Sequence, residues 1–197
     1  MEKPAINKYD IHPLIKRRWS PRSFESRMVE KEKLQRLFEA ARWAPSAFNM
    51  QPWRFIVGLK GTKSYDKIMD SLIEFNQNWA KLAPVLVLVA GNKVDAKSRP
   101  NATFQYDTGQ SVAYLAIQAM HEGLFMHQMG GFDKSKAISN FSIDDNYAPI
   151  AVFAIGYIST PDKLPESYQK METAERKRND FEEFVFEEEF GRKSGIF

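Results

Sequence analysis

Apolar residues recur at Leu34, Leu37, Phe38 and Ala41, the i, i+3, i+4, i+7 spacing of a single helix face, and predict a helix over about 30–43. A strand over 54–59 follows, carrying Phe55-Ile56-Val57. Upstream, a short helix over 11–18 is expected to begin at Asp10 with Pro13 in its first turn, where a proline sacrifices no helical hydrogen bond. Ile68, Met69, Leu72 and Ile73 share one face of a helix over 64–73. The run Val85-Leu86-Val87-Leu88-Val89-Ala90 is short, continuous and β-branched, so it reads as a strand buried on both faces and therefore central. A long apolar helix over 103–121 carries Val112, Leu115, Ala116, Ala119 and Met120 and is ended by Gly123. Its small residues Gly109, Ser111, Ala113, Ala116 and Ala119 admit close approach of another helix, either within the domain or across a subunit seam. A last core strand over 151–158 lies between Pro149 and Pro161, and a charged connector over 161–180 follows. Residues 181–186 mix aromatic and acidic side chains without alternation and read locally as a short strand or helix packed on its own domain.

Composition narrows the classes. The chain of 197 residues has the length of one domain and enough apolar residues for a full core. A formal charge of +3, from 28 basic and 25 acidic residues, is too small to mark a nucleic-acid surface. With no cysteine, disulfides, thiolate nucleophiles and cysteine-bound metals are excluded. The longest apolar run is far below the roughly 20 residues of a bilayer span, and the N-terminus lacks a basic region followed by an apolar core, so no membrane association and a cytoplasmic location are expected. The acidic run Glu187-Glu188-Glu189 reads as a solvated end.

The chemistry is concentrated in two stretches. Ala44-Pro45-Ser46-Ala47-Phe48-Asn49-Met50-Gln51-Pro52-Trp53 sets Ser46, Asn49 and Gln51 between two prolines that end a helix and start an extended chain. Such preorganised polar groups suit a planar, hydrogen-bonding ligand. Arg17-Arg18-Trp19-Ser20-Pro21-Arg22-Ser23-Phe24 places guanidinium forks beside hydroxyls, which taken alone reads either as a solvated basic turn or as a phosphate site with backbone N–H groups filling the remaining acceptor sites. Elsewhere His12, His121 and His127 lack metal-ligand spacing and read as structural or surface histidines. Neither a Gly-x-Ser-x-Gly elbow, a phosphate-binding P-loop nor the Gly-x-Gly-x-x-Gly dinucleotide fingerprint is present. That pattern is expected of a protein whose cofactor performs the chemistry.

Taken together these stretches resemble the nitroreductase family of FMN-dependent oxidoreductases. Its opening motif, Arg-x-Ser-x-basic-x-Phe, falls on Arg18, Ser20, Arg22 and Phe24; its second, Pro-Ser-x-x-Asn-x-Gln-Pro-Trp, falls on Pro45, Ser46, Asn49, Gln51, Pro52 and Trp53. Met129-Gly130-Gly131-Phe132-Asp133 matches a third, where the family sets backbone beside the flavin, and Arg176-Lys177-Arg178 is similar to a basic pair closing on the phosphate. The resemblance runs from about Ile11 to about Phe186.

What it implies is an α+β nitroreductase-like fold, a mostly antiparallel central sheet flanked by helices, with the C-terminal strand exchanged across a homodimer. Residues 1–197 would form one domain whose arm, from about 161, extends to the partner subunit and adds 181–186 to its sheet. The activity implied is ping-pong transfer of hydride from NADH or NADPH through FMN to a nitroaromatic, quinone or similar planar acceptor, with no catalytic side chain and no metal. By resemblance Arg18, Trp19, Ser20 and Arg22 serve the phosphate and pyrimidine side of FMN, and Arg176 and Arg178 complete the phosphate clamp. Pro45, Ser46, Ala47, Asn49 and Gln51 would line the ring from the other subunit, with Met129, Gly130, Gly131 and Asn76, ranked above Asn78, nearby. Trp19 and Ala47 depart from the small or imidazole side chain and the hydroxyl found there in the family, which bears on substrate and redox tuning. A non-catalytic FMN storage or regulatory protein and a specialised flavin reductase or dehalogenase of the same fold are the competing expectations.

Overall fold

The structure, a computed structural model, describes residues 2–197. Four strands, β1 (Trp53–Leu59), β2 (Val85–Asn92), β3 (Phe125–Met129) and β4 (Tyr147–Gly156), form one sheet in the order β1-β2-β4-β3, with every neighbouring pair antiparallel. β2 is interior, and Val85 through Gly91 are all buried, as a β-branched run covered on both faces requires. Alternation along it divides the core in two. Leu86 and Leu88 face Tyr65, Ile68, Leu72 and Trp79, whereas Val85, Val87 and Val89 face Leu37, Ala41, Leu115 and Ala119.

The first face is covered by α3 (Lys63–Ser71) and α4 (Glu74–Ala80), the second by α2 (Lys31–Arg42) and α5 (Phe104–His121). The small residues of α5 separate by environment. Ser111, Ala116 and Ala119 are buried, with Ser111 Oγ donating to Ala41 O of α2 at 3.0 Å, while Gly109 and Ala113 face solvent beside exposed Tyr106 and Tyr114. Packing inside the domain therefore accounts for three of those five residues.

Several boundaries differ from the sequence-based expectation. α1 (Pro13–Arg17) is capped by His12 rather than Asp10; the ring Nδ1 accepts from Leu14 N at 3.3 Å and Pro13 takes the first helical position. α3 stops at Ser71, so Ile73 lies beyond the helix and is half exposed; α4, which begins after it, is polar on much of its surface and carries too little periodicity to be read. Pro149 does not bound the last strand but sits within β4 opposite Ala90, next to a register shift at Val89/Ala90 where the ladder tolerates a missing N–H. β3 interposes between α5 and Met129, and α6 (Lys134–Phe141) is capped by Asp133, which accepts from Lys136 N at 3.0 Å.

The connector 161–180 contains α7 (Glu166–Thr173). Beyond it, 181–186 is not a strand in this chain: Phe181–Glu183 is a single 3-10 turn, and Phe181 stacks on Phe197 at 4.2 Å and packs against Tyr9 at 5.4 Å. Among the described residues no helix is long and apolar enough to cross a membrane.

Candidate functional site

The opening motif folds into an extended segment that crosses from the end of α1 to the β3 edge of the sheet. Phe24 anchors it, 1% exposed, stacked on Trp79 and bridged to Ile158. His127 of β3 holds its middle: Nδ1 lies 2.9 Å from Pro21 O, and since a carbonyl only accepts, this nitrogen carries the proton. Burial against Trp79, chiefly, pushes the His127 pKa down to about 4, and the nearby Arg22 and Arg18 guanidinium groups add to the shift. It is a neutral structural histidine.

Anchored in this way, Arg18, Trp19, Ser20 and Arg22 line a cavity of about 230 Å³. Its other wall is the end of α7 and the chain beyond it, contributing Met171, Ala174, Glu175, Arg176 and Arg178, with Lys3 closing one side. The guanidinium groups are mutually unfavourable. Arg18 has its pKa lowered by burial and then by Arg178; Arg176 has its own lowered by burial and then by Arg18 and Arg178. Arg22 Nε and Trp19 Nε1 are buried without a hydrogen-bond partner among the described residues, a cost of about 1–3 kcal/mol each unless a ligand acceptor satisfies them. Clustered cations, orphaned donors and a small polar cavity together fit a phosphate group. Whole-ligand pockets run to roughly 300–1,000 Å³, so this cavity suits the charged end of a larger molecule.

Two backbone N–H groups of the opening motif are not free for a phosphate: Arg22 N donates to both carboxylate oxygens of Glu172 at 2.8 and 3.0 Å, and Ser23 N donates to Oε1 at 3.1 Å. Ser23 Oγ is likewise committed, to Thr160 O at 2.5 Å. The side chains of Arg18, Ser20 and Arg22 remain in the cavity lining.

Arg176 adds order to the cluster, donating through Nη1 to Lys3 O at 2.5 Å and through Nη2 to Arg18 O at 2.9 Å. Among the described residues Arg178 bonds only Lys177 O, and it keeps donors for a ligand.

The 45–51 loop lies elsewhere, over the start of α5, and none of its residues lines the cavity. Phe48, Asn49 and Gln51 have left-handed φ of 50°, 55° and 45°, a conformation that costs L-residues about 1–3 kcal/mol each and persists only where the surroundings dictate it. Two bonds do so: Ala47 N donates to Asp107 Oδ2 at 3.1 Å, and Gln51 N donates to Ser46 Oγ at 3.0 Å. The Gln51 amide turns inward onto Asn49 Oδ1 at 3.0 Å. Pro45 and Ser46 lead into this turn while Phe48 projects from it, 99% exposed.

Met129, Gly130 and Gly131 leave the end of β3 and are tied to α4. Asn76 Nδ2 donates to Gly131 O at 2.8 Å, and Ile73 N reaches the same oxygen at 3.2 Å. Asn78 instead points to the Tyr168 hydroxyl, 3.5 Å away. A methyl at Gly131 would lie 2.7 Å from Ile73 Cδ1 and 2.8 Å from Asn76 Nδ2, whereas one at Gly130 would meet nothing within 4 Å. Gly131→Ala should accordingly break the Asn76 bond and cost about 1–3 kcal/mol, while Gly130→Ala stays within about 0.5 kcal/mol. Equal urea midpoints for the two variants would contradict this reading of the turn.

Sequence reasoning missed Glu172, Asp107 and Lys3. Two carried a signal: Glu172 continues the buried spacing Leu164, Tyr168, Glu172, and Asp107 stands four residues before Ser111 on the buried face of α5. A carboxylate on a buried stripe needs a partner. A larger groove of about 670 Å³ between α2 and β1, lined by Leu34, Phe38, Val57 and Leu59, holds none of the motif residues.

Known proteins share this fold. The model of the Nitroreductase family matches residues 15–78, which span both N-terminal motifs. A crystal structure described as an oxidoreductase containing FMN is 35% identical, covers 95% of this chain and 96% of its own, and superposes with a TM-score of 0.89. A nitroreductase family protein from Clostridium difficile 630 is 30% identical, with 89% of this chain and 96% of that one covered and a TM-score of 0.70. A Ralstonia nicotianae protein whose name proposes an NADH dehydrogenase/NAD(P)H nitroreductase is 28% identical over 158 residues, 71% of this chain and 80% of that protein. With two such structures matched along nearly their whole length, this chain belongs to the nitroreductase family.

Proposed function

We propose that the protein is an FMN-dependent oxidoreductase that takes hydride from NADH or NADPH and reduces planar acceptors such as nitroaromatics or quinones. The observation that carries this reading is the cavity of Arg18, Arg22, Arg176 and Arg178, where burial and then neighbouring cations lower the pKa of Arg18 and Arg176 and the buried Arg22 Nε has no partner among the described residues. Arg18, Arg22 and Arg178 would bind the FMN phosphate by charge-assisted bonds worth about 1.5–3 kcal/mol each, with Arg176 ordering the wall and Ser20 and Trp19 beside it. The bound flavin supplies the electron transfer, and donor and acceptor use its exposed face in turn.

The rest of the site is read in two groups. Gly130 offers an open backbone for close approach to the ring, with Met129 and Gly131 held behind it by Asn76. Pro45, Ser46, Ala47, Asn49 and Gln51 belong to a rigid loop that lines no part of the cavity, which supports a site assembled from two subunits. A homodimer would also cover Phe48, Tyr106 and Tyr114, and the unpaired edge of β1 could receive a strand from a partner's 181–186 segment. Residues 1–197 then form one nitroreductase-like domain whose arm begins at about 161.

The purified protein should be yellow, and heat should release FMN rather than FAD, because the cation cluster suits one terminal phosphate. Chromatography of the released cofactor decides this: FAD, or no flavin affinity at all on titration, would overturn the reading. Bleaching of the bound flavin by NADH or NADPH in stopped flow separates an enzyme from a storage protein.

A further inference from the structure

Glu172 is 1% exposed, and it lies in the last turn of α7, where the helix dipole disfavours an anion. A carboxylate in that position needs compensation from outside its own helix. It comes from the phosphate-site motif: Arg22 N and Ser23 N donate to it at 2.8–3.1 Å, and Arg22 Nη1 lies 3.8 Å from Oε2. That last separation is an ion pair beyond hydrogen-bond reach, so the Arg22 guanidinium keeps its donors, among them the buried and unpaired Nε. Lys3 completes the arrangement by placing Nζ on Glu172 O at 2.6 Å and Ala174 O at 2.5 Å.

We propose that Glu172 is a positioning residue of the phosphate site, fixing the Arg22–Ser23 backbone so that Arg22 faces the cavity and serving as its counter-charge until a ligand phosphate arrives. The proposal rests on the FMN reading above. Glu172 itself touches no ligand: its oxygens are occupied by two backbone N–H groups. Two separable effects follow. The backbone anchor depends only on an oxygen acceptor, which glutamine retains through Oε1. The counter-charge depends on the negative charge, which glutamine lacks.

The test compares wild type, Glu172→Gln and Glu172→Ala as full-length chains, by FMN fluorescence titration, inorganic phosphate binding, and thermal melting with and without saturating FMN. Glu172→Gln should bind FMN more tightly than wild type, since Oε1 still accepts the Arg22 and Ser23 bonds while the counter-charge that competes with the phosphate is gone. It should bind phosphate more tightly and melt lower without ligand. Saturating FMN should narrow that melting deficit, because the ligand's phosphate then supplies the missing charge. Glu172→Ala loses the anchor and should bind both FMN and phosphate at least about tenfold more weakly. Wild-type affinity in Glu172→Ala, or a Glu172→Gln melting deficit that FMN leaves unchanged, would show that the carboxylate merely fills the core and would overturn the proposal. A wild-type protein with no FMN affinity sinks the functional reading instead, and the ratio of phosphate affinities between wild type and Glu172→Ala then decides this one.

Discussion

Replacing Arg18 by alanine should weaken FMN binding by roughly 10- to 150-fold, the equivalent of about 1.5–3 kcal/mol for one charge-assisted bond. Lys16→Ala should stay within about twofold, as expected of a charge that makes no contact with the ligand. The contrast comes from placement. Arg18 follows the last residue of α1 and turns its guanidinium into the cavity, with Nη1 3.4 Å from Ser20 Oγ. Burial and the neighbouring Arg178 already destabilise its charged form, so an anion gains more there than at an exposed arginine. Lys16, two residues earlier, lines no part of the cavity and enters the site only through its backbone oxygen, 3.4 Å from Arg176 Nη1. Fluorescence titration of both variants decides the matter, and equal affinities would show that Arg18 has been placed in the wrong role.

How much of this was legible in the sequence depended on whether a contact is local. The helices α2 and α5 and the strands β1 and β2 follow from their own periodicity, because each presents one or two uniform faces to the core. Segments whose burial is set by distant partners were not legible. β3 is only five residues long and includes His127, whose partners Pro21 and Trp79 are far apart in sequence. α4 owes its place to Asn76 and Trp79, one bonded to the diglycine turn and the other packed beneath the opening motif. Along the connector 161–180 high charge masked α7, although Leu164, Tyr168 and Glu172 mark its buried side.

The site divides in the same way. Clustered arginines and the proline-bounded loop stand out as residue types, and the structure gathers Arg18, Arg22, Arg176 and Arg178 from opposite ends of the chain around one cavity. The carboxylates that hold these pieces are single residues whose place on a buried stripe signals that a partner is needed but not which one. Asp107 accepts from Ala47 N and from Thr103 Oγ1, so it connects the strained loop to the first turn of α5. Glu172 connects the opening motif to α7 in the same manner. The partner of such an anchor becomes visible only when the backbone it serves is in place.

Removal of 176–197 should have the larger consequence, since it acts on cofactor retention and on assembly together. Arg176 donates to the carbonyls of Lys3 and Arg18, so its loss frees the N-terminal segment from the opening motif as well as deleting a cation. Arg178 disappears with it, and the cavity loses the part of its wall that still has donors to offer. Losing the charge-assisted bond of Arg178, at about 1.5–3 kcal/mol, together with the wall that Arg176 orders should lower FMN affinity by at least about tenfold. The same truncation deletes Phe181, Phe184 and Phe186, the aromatic segment proposed to reach the partner's sheet, and exposes Tyr9, against which Phe181 packs. A dimer that depends on this arm should then dissociate at micromolar concentration, and its protomers should show the apolar surface of Phe48, Tyr106 and Tyr114 as increased binding of a hydrophobic dye. The double variant Arg176→Ala/Arg178→Ala separates the two effects, because it removes the cations and leaves the arm: it should lose FMN yet remain dimeric. Light scattering and flavin occupancy measured on both proteins decide the outcome. A truncated chain that stays dimeric and fully loaded, or a full-length chain that is an active monomer, would require the arm and the shared site to be abandoned.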